Sequence, residues 1–306
     1  MFLKYFLKKK QLLKILYKPY RILPSLLFIF KRVCASFSEE IKLFKNSVTL
    51  KSYFDTFVDV KFKKPNPEDL LRIRTNSIQA LHLISLKYSP HHLRVIKNEY
   101  LENKLRTRDV SQKLDYLFTS YGSDKSSKHN YHLIYAALLE GKINENLMVL
   151  EIGIGTNNLT YGANMGRKGK PGASLRAFRD FLPNSKIFGA DIDSKILFSE
   201  KNIETFFIDQ LNLQILEDVK LNLSKVKFDL IIDDGLHNTE ANFNTIYFAL
   251  DLLNEKGILL IEDIDYSDLK YYVLLNTILI NEYNIYFLET QAACLCIISK
   301  CDIIEI

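Results

Sequence analysis

Short apolar runs alternate with helical stretches from about residue 146 to the end of the chain. The runs are "LMVLEIG" (147–153), "KIFGADI" (186–192), "ETFFIDQ" (204–210), "FDLIIDD" (228–234), "GILLIED" (257–263), "NIYFLET" (284–290) and "ACLCIIS" (293–299). Between them, apolar residues spaced by three and four predict helices over 173–181, 240–253 and 267–280. Strands that are apolar on both faces and alternate with helices predict a parallel sheet covered on both sides. The link between the last two runs is too short for a crossover, so that pair closes as an antiparallel hairpin. The expected architecture is α/β: a doubly wound, mostly parallel, seven-stranded sheet.

Upstream the texture is helical. "PNPEDLLRIRTNSIQALHLISLKY" opens on Asn66-Pro67, a helix-start signal. "SPHHLRVIKNEYLENKLRT" begins in the same way and is also read as helix. The expected division is a basic amphipathic leader over 1–47, a helical N-terminal region over 48–140 and the sheet domain over 141–306. His82, His91 and His92 fall in the helical region without a matching carboxylate or cysteine nearby and read as ordinary surface or core residues.

Charge changes the picture at the leader. The 306-residue chain carries a formal +5, yet residues 1–45 alone hold nine Lys and two Arg against Glu39 and Glu40, a local +9. The remainder is therefore mildly acidic, at −4, which is not the footprint of a nucleic-acid binder. The longest uncharged run in the leader, Ile22 to Phe30, is nine residues and contains Pro24. A spanning helix needs about 20 apolar residues, so this stretch does not cross a bilayer. Lys interleaved with Leu, Ile, Phe and Tyr reads as an interfacial segment on an anionic membrane surface. The competing reading is a basic helix packed on the protein's own body or on a partner.

The cysteines (Cys34, Cys294, Cys296 and Cys301) are too few for a disulfide framework in a chain this long. Cys294 and Cys296 share one face of a strand and read as small core residues, since no other ligands accompany them. A reducing, cytoplasmic setting is expected, peripheral on the inner face of the membrane if the leader binds lipid.

The polar chemistry gathers where the strands end, which is where doubly wound sheets bind ligands. The first strand runs into Glu151, Gly153 and Gly155; the third glycine of a dinucleotide fingerprint is replaced by Asn158. The second ends at Asp191 and Asp193, suited to ribose hydroxyls, and the third at Asp209-Gln210, suited to an adenine amine. The fourth ends "DDGLH" and the fifth "IEDID". Neighbouring strands lie about 4.8 Å apart, so one carboxylate from each tip can reach a common point. A hard divalent cation such as Mg2+ would relieve their repulsion. Only one of Asp233 and Asp234 should face that point, and His237 follows close enough to act as a base. The alternative is that these acids cap the following helices, "NTEANF" especially.

Together, "VLEIGIG", "GASLRAFRDFLPNSKIFGADID", "DQLN", "FDLIIDDGLH" and "GILLIEDID" resemble the class I S-adenosylmethionine-dependent methyltransferases, with their Rossmann-like fold. The resemblance covers roughly residues 120 to 300 and is nearest to the branch of macrolide-sugar O-methyltransferases and polysaccharide-cluster methyltransferases. "YGSDKSSKHNYHLIY" also resembles that branch. The resemblance implies that Glu151, Gly153 and Gly155 cradle the methionine part of the cofactor, that Asp191 holds the ribose and that Asp209 and Gln210 border the adenine. It implies metal ligands at Asp234 and Asp263 and a base at His237. Leu236 stands where the branch usually has Ser.

A loop, "TNNLTYGANMGRKGKPGA", separates Gly155 from the first predicted helix, and Arg167, Lys168 and Lys170 make it basic. A loop this long is usually functional or disordered, and it is expected to form a lid that contacts an anionic acceptor. The expected activity is metal-assisted O-methylation of a sugar hydroxyl on a glycan or lipid-linked sugar, as in polysaccharide biosynthesis. His129, His132 and Asp124 are candidates for the acceptor side. A nicotinamide-dependent sugar-nucleotide oxidoreductase and an inactive, membrane-recruited methyltransferase fold are the alternatives. A homo-oligomer is left open.

Overall fold

The computed structural model describes residues 79–84, 94–97, 99, 103, 108–290 and 293–303. The leader, the Asn66-Pro67 start, Cys34, His91 and His92 lie outside the described residues. Nine strands form one sheet: β1 (Arg94–Ile96), β2 (Met148–Ile152), β3 (Lys186–Asp191), β4 (Ser199–Glu200), β5 (Ile203–Phe207), β6 (Phe228–Asp233), β7 (Leu253–Ile264), β8 (Asn284–Glu289) and β9 (Cys294–Ser299). Helices among the described residues include α1 (Asp109–Tyr121), α2 (Tyr131–Leu139), α3 (Ala173–Phe181), α4 (Leu213–Asn222), α5 (Thr239–Leu250) and α6 (Leu269–Leu279).

The strand order is β1-β8-β9-β7-β6-β2-β3-β5-β4. All seven expected strands are present, and the two additional ones, β1 and β4, are short edge strands. β9 runs antiparallel to both β7 and β8, which is the expected hairpin. Arg94–Ile96 corrects the sequence reading: expected as helix, it pairs parallel with β8. Two β-branched residues, Val95 and Ile96, suit the open edge of a sheet, where tertiary pairing overrides a helical pattern. Helix α4, which the sequence reading did not anticipate, is capped by Asn212, whose side chain accepts from the N–H groups of Gln214 and Ile215. Helix α5 ends at Leu250, and Leu253 passes to the strand.

Each core strand sends alternate residues to opposite faces. Val149, Ile232 and Leu260 join one core with Leu114, Phe118, Tyr135, Phe178 and Phe181 from α1, α2 and α3. Leu150, Ile231 and Leu259 join a second core with Leu216, Phe248 and Tyr272 from α4, α5 and α6. Edge-to-face rings tie the first core together, with Phe118 and Tyr135 each packed against Phe178 at 5.3 and 5.1 Å between centroids. Cys294 and Cys296 lie buried in the second core, and burial pushes the Cys294 thiol up to about 12. Both are inert core residues, as expected; Cys301 is exposed.

From β2 the chain proceeds through β3 and β5 to one side and through β6 and β7 to the other. The order therefore reverses between β2 and β6, and a crevice opens there beyond the carboxyl ends of the strands.

Candidate active site

A cavity of about 600 Å³ occupies this crevice. Its walls include Gly153, Gly155, Asp191, Asp209, Asp234, His237, Glu262 and Asp263, so most of the sequence-predicted residues meet there. Glu151 does not line it. Its carboxylate is fully buried, with Oε2 accepting from the Ser174 hydroxyl at 2.6 Å and Oε1 lying 3.1 Å from the Lys125 ammonium. Lys125 and Ser174 stand between Glu151 and the cavity. Burial pushes the Glu151 carboxyl above the usual range, and Lys125 pulls it back.

The two glycines serve close approach within the chain. Gly153 has φ 88°, and a β-carbon there would lie 2.0 Å from the main-chain oxygen of Asp234. Gly155 has φ 83°, and its β-carbon would meet the Met165 sulfur at 2.0 Å. The first contact lets the exits of β2 and β6 touch. The second lets the loop after β2 fold over the cavity.

That loop is folded and tethered. The Asn157 amide donates to the carbonyls of Gly166 and Gly169 at 2.7 and 2.9 Å, and the Met165 N–H donates to Thr156 at 2.9 Å. Tyr161, Met165 and Lys168 face the cavity. Gly162 lies across from Leu236.

Asp191 accepts from the main-chain N–H groups of Ile154 and Asp193, each at 2.9 Å, and burial pushes its carboxyl upward. Asp193 caps the short 3-10 turn Ser194–Ile196. Asp209 is at the cavity wall. Gln210, expected beside the adenine, also lines the cavity, and its amide is engaged within the fold. Nε2 donates to Asp233 at 2.7 Å and to Thr245 at 2.8 Å, and Oε1 accepts from the Leu236 N–H at 2.9 Å. Both of its N–H groups are spent inside the fold, so its side chain braces the 233–236 turn.

The choice between Asp233 and Asp234 follows from that brace. Asp233 is buried, held by Gln210 and by the Gly235 N–H, while Asp234 is 26% exposed and opens to the cavity. Helix capping does not claim Asp234, because Asn238 caps α5 by accepting from the Ala241 N–H. Asp265, by contrast, caps the turn before α6. Asp234, His237 and Asp263 each offer a ligand atom within 4.8 Å of the others. His237 Nε2 lies 3.7 Å from Asp234 Oδ1 and 4.0 Å from Asp263 Oδ2. His237 (φ 52°) and Asp263 (φ 54°) both adopt left-handed backbone, which side-chain-bearing residues rarely do. Such strain costs about 1–3 kcal/mol each and clusters at functional sites.

Asp263 accepts from the Tyr131 hydroxyl at 2.5 Å, and His129 Nδ1 lies 3.2 Å from the same oxygen. Burial and the neighbouring acids push the Tyr131 phenol far up, so it stays a donor. Its ring stacks on His129, 5.1 Å between centroids. His129 and Asp124 line the cavity, whereas His132 is buried in α2 and does not.

Lys125 lies in "YGSDKSSKHNYHLIY", to which the sequence reading gave a resemblance but no role. Its ammonium, 3% exposed, donates to Asp234 Oδ2 and Glu262 Oε2, each at 2.6 Å, besides its contact with Glu151. Glu262 also accepts from the Tyr135 hydroxyl. Burial pushes the Glu262 carboxyl well up, and Lys125 opposes that shift. Three carboxylates around one ammonium leave a negative surplus. Among the described residues, Asp263 adds to it with only histidines as ion-pair partners. Hard oxygen donors with surplus negative charge and an open face suit Mg2+ or a similar cation.

No family model matches the chain. It is 34% identical over 122 residues to the mycinamicin VI 2''-O-methyltransferase of Micromonospora griseorubida, covering 39% of this chain and 28% of that protein. It is 28% identical over 147 residues to the 8-demethyl-8-alpha-L-rhamnosyl tetracenomycin-C 2'-O-methyltransferase of Streptomyces olivaceus, covering 48% and 36%. To the demethylmacrocin O-methyltransferase of Streptomyces fradiae it is 32% identical over 122 residues, covering 40% and 28%. The match thus spans about a third of the length of these relatives. A solved structure of the MycE methyltransferase from the mycinamycin biosynthetic pathway, in complex with Mg and SAH, aligns with a TM-score of 0.50 at 22% identity, over 62% of this chain and 54% of that one. The chain has the Rossmann-like methyltransferase fold and is similar in sequence to the macrolide-sugar branch of the class I O-methyltransferases.

Proposed function

We propose that the chain is an S-adenosylmethionine-dependent O-methyltransferase that acts on a sugar hydroxyl with the help of a divalent cation. The observation that carries this reading is the meeting of Asp234, Asp263 and His237 within 4.8 Å at the mouth of the strand-tip cavity. The names of the three curated relatives, all O-methyltransferases, support it, as does the Mg and SAH complex of the MycE neighbour.

When bound, S-adenosylmethionine would supply the methyl group as a sulfonium, and a cation would lower the pKa of a hydroxyl that is otherwise a poor nucleophile at neutral pH. Asp234 and Asp263 would hold that cation. His237 Nε2 takes the hydroxyl proton, an effect worth about 100- to 10,000-fold. Asp191 takes the ribose hydroxyls and Asp209 the adenine edge. Gly153 and Gly155 open the methionine end, and Glu151 acts there only through Lys125 and Ser174. Methyl transfer needs the acceptor oxygen in line with the transferred carbon, which the cavity walls would have to impose. Lys168 at the rim favours an acceptor that bears an anionic group, such as a phosphate-carrying glycan or lipid-linked sugar. The basic leader over 1–47 would bring the sheet domain to an anionic membrane surface.

Among the described residues, no helix is long and apolar enough to cross a membrane. The experiment that tests the reading is calorimetric titration with S-adenosylmethionine, with and without Mg2+, and with NADH as control. Binding of the sulfonium cofactor and not NADH is expected. Binding of NADH alone would recast the strand-tip acids as parts of an oxidoreductase, and binding of neither would favour an inactive fold.

A further inference from the structure

Lys125 reaches the strand tips from outside the sheet. Helix α1 ends at Gly122, whose left-handed backbone (φ 85°) lets its N–H close on Phe118 and Thr119. The chain then turns inward, and Ser123, Lys125 and Ser126 are all buried. Ser126 fixes the turn from the other side by donating to Asp115 of α1 at 2.5 Å. A lysine loses much side-chain freedom and pays a large desolvation cost when it is buried this way, so its partners must be well placed.

An ammonium has three N–H donors and no acceptor. Lys125 has three carboxylate partners, one from each of three neighbouring strand ends: Glu151 of β2, Asp234 after β6 and Glu262 of β7. Two of its donors go to Asp234 and Glu262, and it pairs with Glu151 by charge at 3.1 Å. Two of the three partners are sealed from solvent, Glu151 at 0% and Glu262 at 1% exposure. Asp234 is the most exposed of the three, at 26%, and lines the cavity together with Glu262. Lys125 grips that residue by Oδ2, and the other oxygen, Oδ1, is the one that faces His237.

We propose that Lys125 is a positioning residue, which clamps one oxygen of Asp234 so that the other is presented to the cation and to His237. The proposal rests on the metal-assisted reading given above. The same ammonium also binds Glu262, whose carboxylate is held by Lys125 and the Tyr135 hydroxyl at the same cavity.

The informative variant is Lys125→Arg, which keeps the positive charge in the core but replaces three diverging donors by a longer, planar fork. Mn2+ alone, titrated into the full chain, reads the cation site; S-adenosylmethionine titration and thermal unfolding read the rest. The expected result is an affinity for Mn2+ lower by about tenfold or more, with cofactor affinity within about threefold of the unaltered protein. Unchanged Mn2+ affinity would overturn the proposal. So would losses of Mn2+ affinity, cofactor affinity and melting temperature in step, which a general structural role would give.

A second measurement needs no variant. In the unaltered protein, the 15N-labelled Lys125 ammonium resonance should shift on adding Mg2+, because Asp234 bridges the two. A resonance that stays in place while Mg2+ binds would exclude the clamp. An unaltered protein that binds neither Mn2+ nor Mg2+ would instead overturn the metal-assisted reading, and the clamp with it.

Discussion

The main-chain oxygen of Asp234 lies where a β-carbon on Gly153 would be, 2.0 Å from the ideal position. The exits of β2 and β6 are in backbone contact at that point, and the Asp234 N–H donates to Ile152 at 2.8 Å beside it. Gly153→Ala therefore faces two penalties, a left-handed φ and a clash with backbone that no rotamer can relieve. A stability loss above about 1 kcal/mol is expected in urea unfolding. Because the shift falls on Asp234, Mn2+ affinity should drop along with it.

His237→Ala should remove the proton acceptor and leave the carboxylates in place. Turnover should fall by about 100- to 10,000-fold, with S-adenosylmethionine affinity close to that of the unaltered protein. Mn2+ titration of the same variant separates two roles. Retained Mn2+ affinity assigns His237 as base, whereas a parallel loss assigns it as a third ligand.

Lys125→Met leaves Glu151, Glu262 and Asp234 around an apolar tip. Removing one partner of a buried charge network costs about 3–5 kcal/mol. Denaturant unfolding should register a loss of that size, and a change below about 1 kcal/mol would mean that the three acids tolerate each other without the ammonium.

Gln210→Ala tests the brace under the 233–236 turn. The change leaves the buried Asp233 carboxylate and the Thr245 hydroxyl without their amide partner, and the Leu236 N–H without its acceptor. Loss of buried partners costs about 1–3 kcal/mol each. A destabilised protein is expected, with cofactor affinity reduced less than by Asp209→Ala.

An acid-side prediction comes from the surface network beside α3. The guanidinium of Arg179 holds the Asp180 carboxyl below the usual range, and that of Arg176 does the same for Glu200. A depressed folded-state pKa adds stability that is complete above the unfolded value and is lost as pH falls through the folded one. Asp180→Asn combined with Glu200→Gln should therefore lower the melting temperature near neutral pH, where the contribution is complete, and flatten its decline below about pH 4.

Much of the sheet was legible because its strands are apolar on both faces, which only a covered parallel sheet explains. The three residues 94–96 were misread because a three-residue edge strand carries no period of its own. Helix α4 was missed because it buries only Leu216 fully, so its apolar stripe is weak. At the site, residue type and strand-end position pointed to Asp191, Asp209 and His237, and the family resemblance picked Asp234 and Asp263; all five line one cavity. Side-chain direction was not legible. Gln210 follows Asp209 directly yet spends its amide within the fold, and Glu151 sits at a strand end yet is sealed. Lys125 received no role, although its segment was singled out, because a lysine in "GSDKSSK" looks solvent-facing until three carboxylates are seen around it.

The bonds from Lys125 to Asp234 and Glu262 span 109 and 137 residues of chain. Such distant partners meet only after the intervening loops have closed. The contacts of Lys125 therefore need β2, β6 and β7 side by side and the turn after α1 docked on them. A fragment that begins after Ser126 contains every strand-tip acid and still lacks the group that orders them.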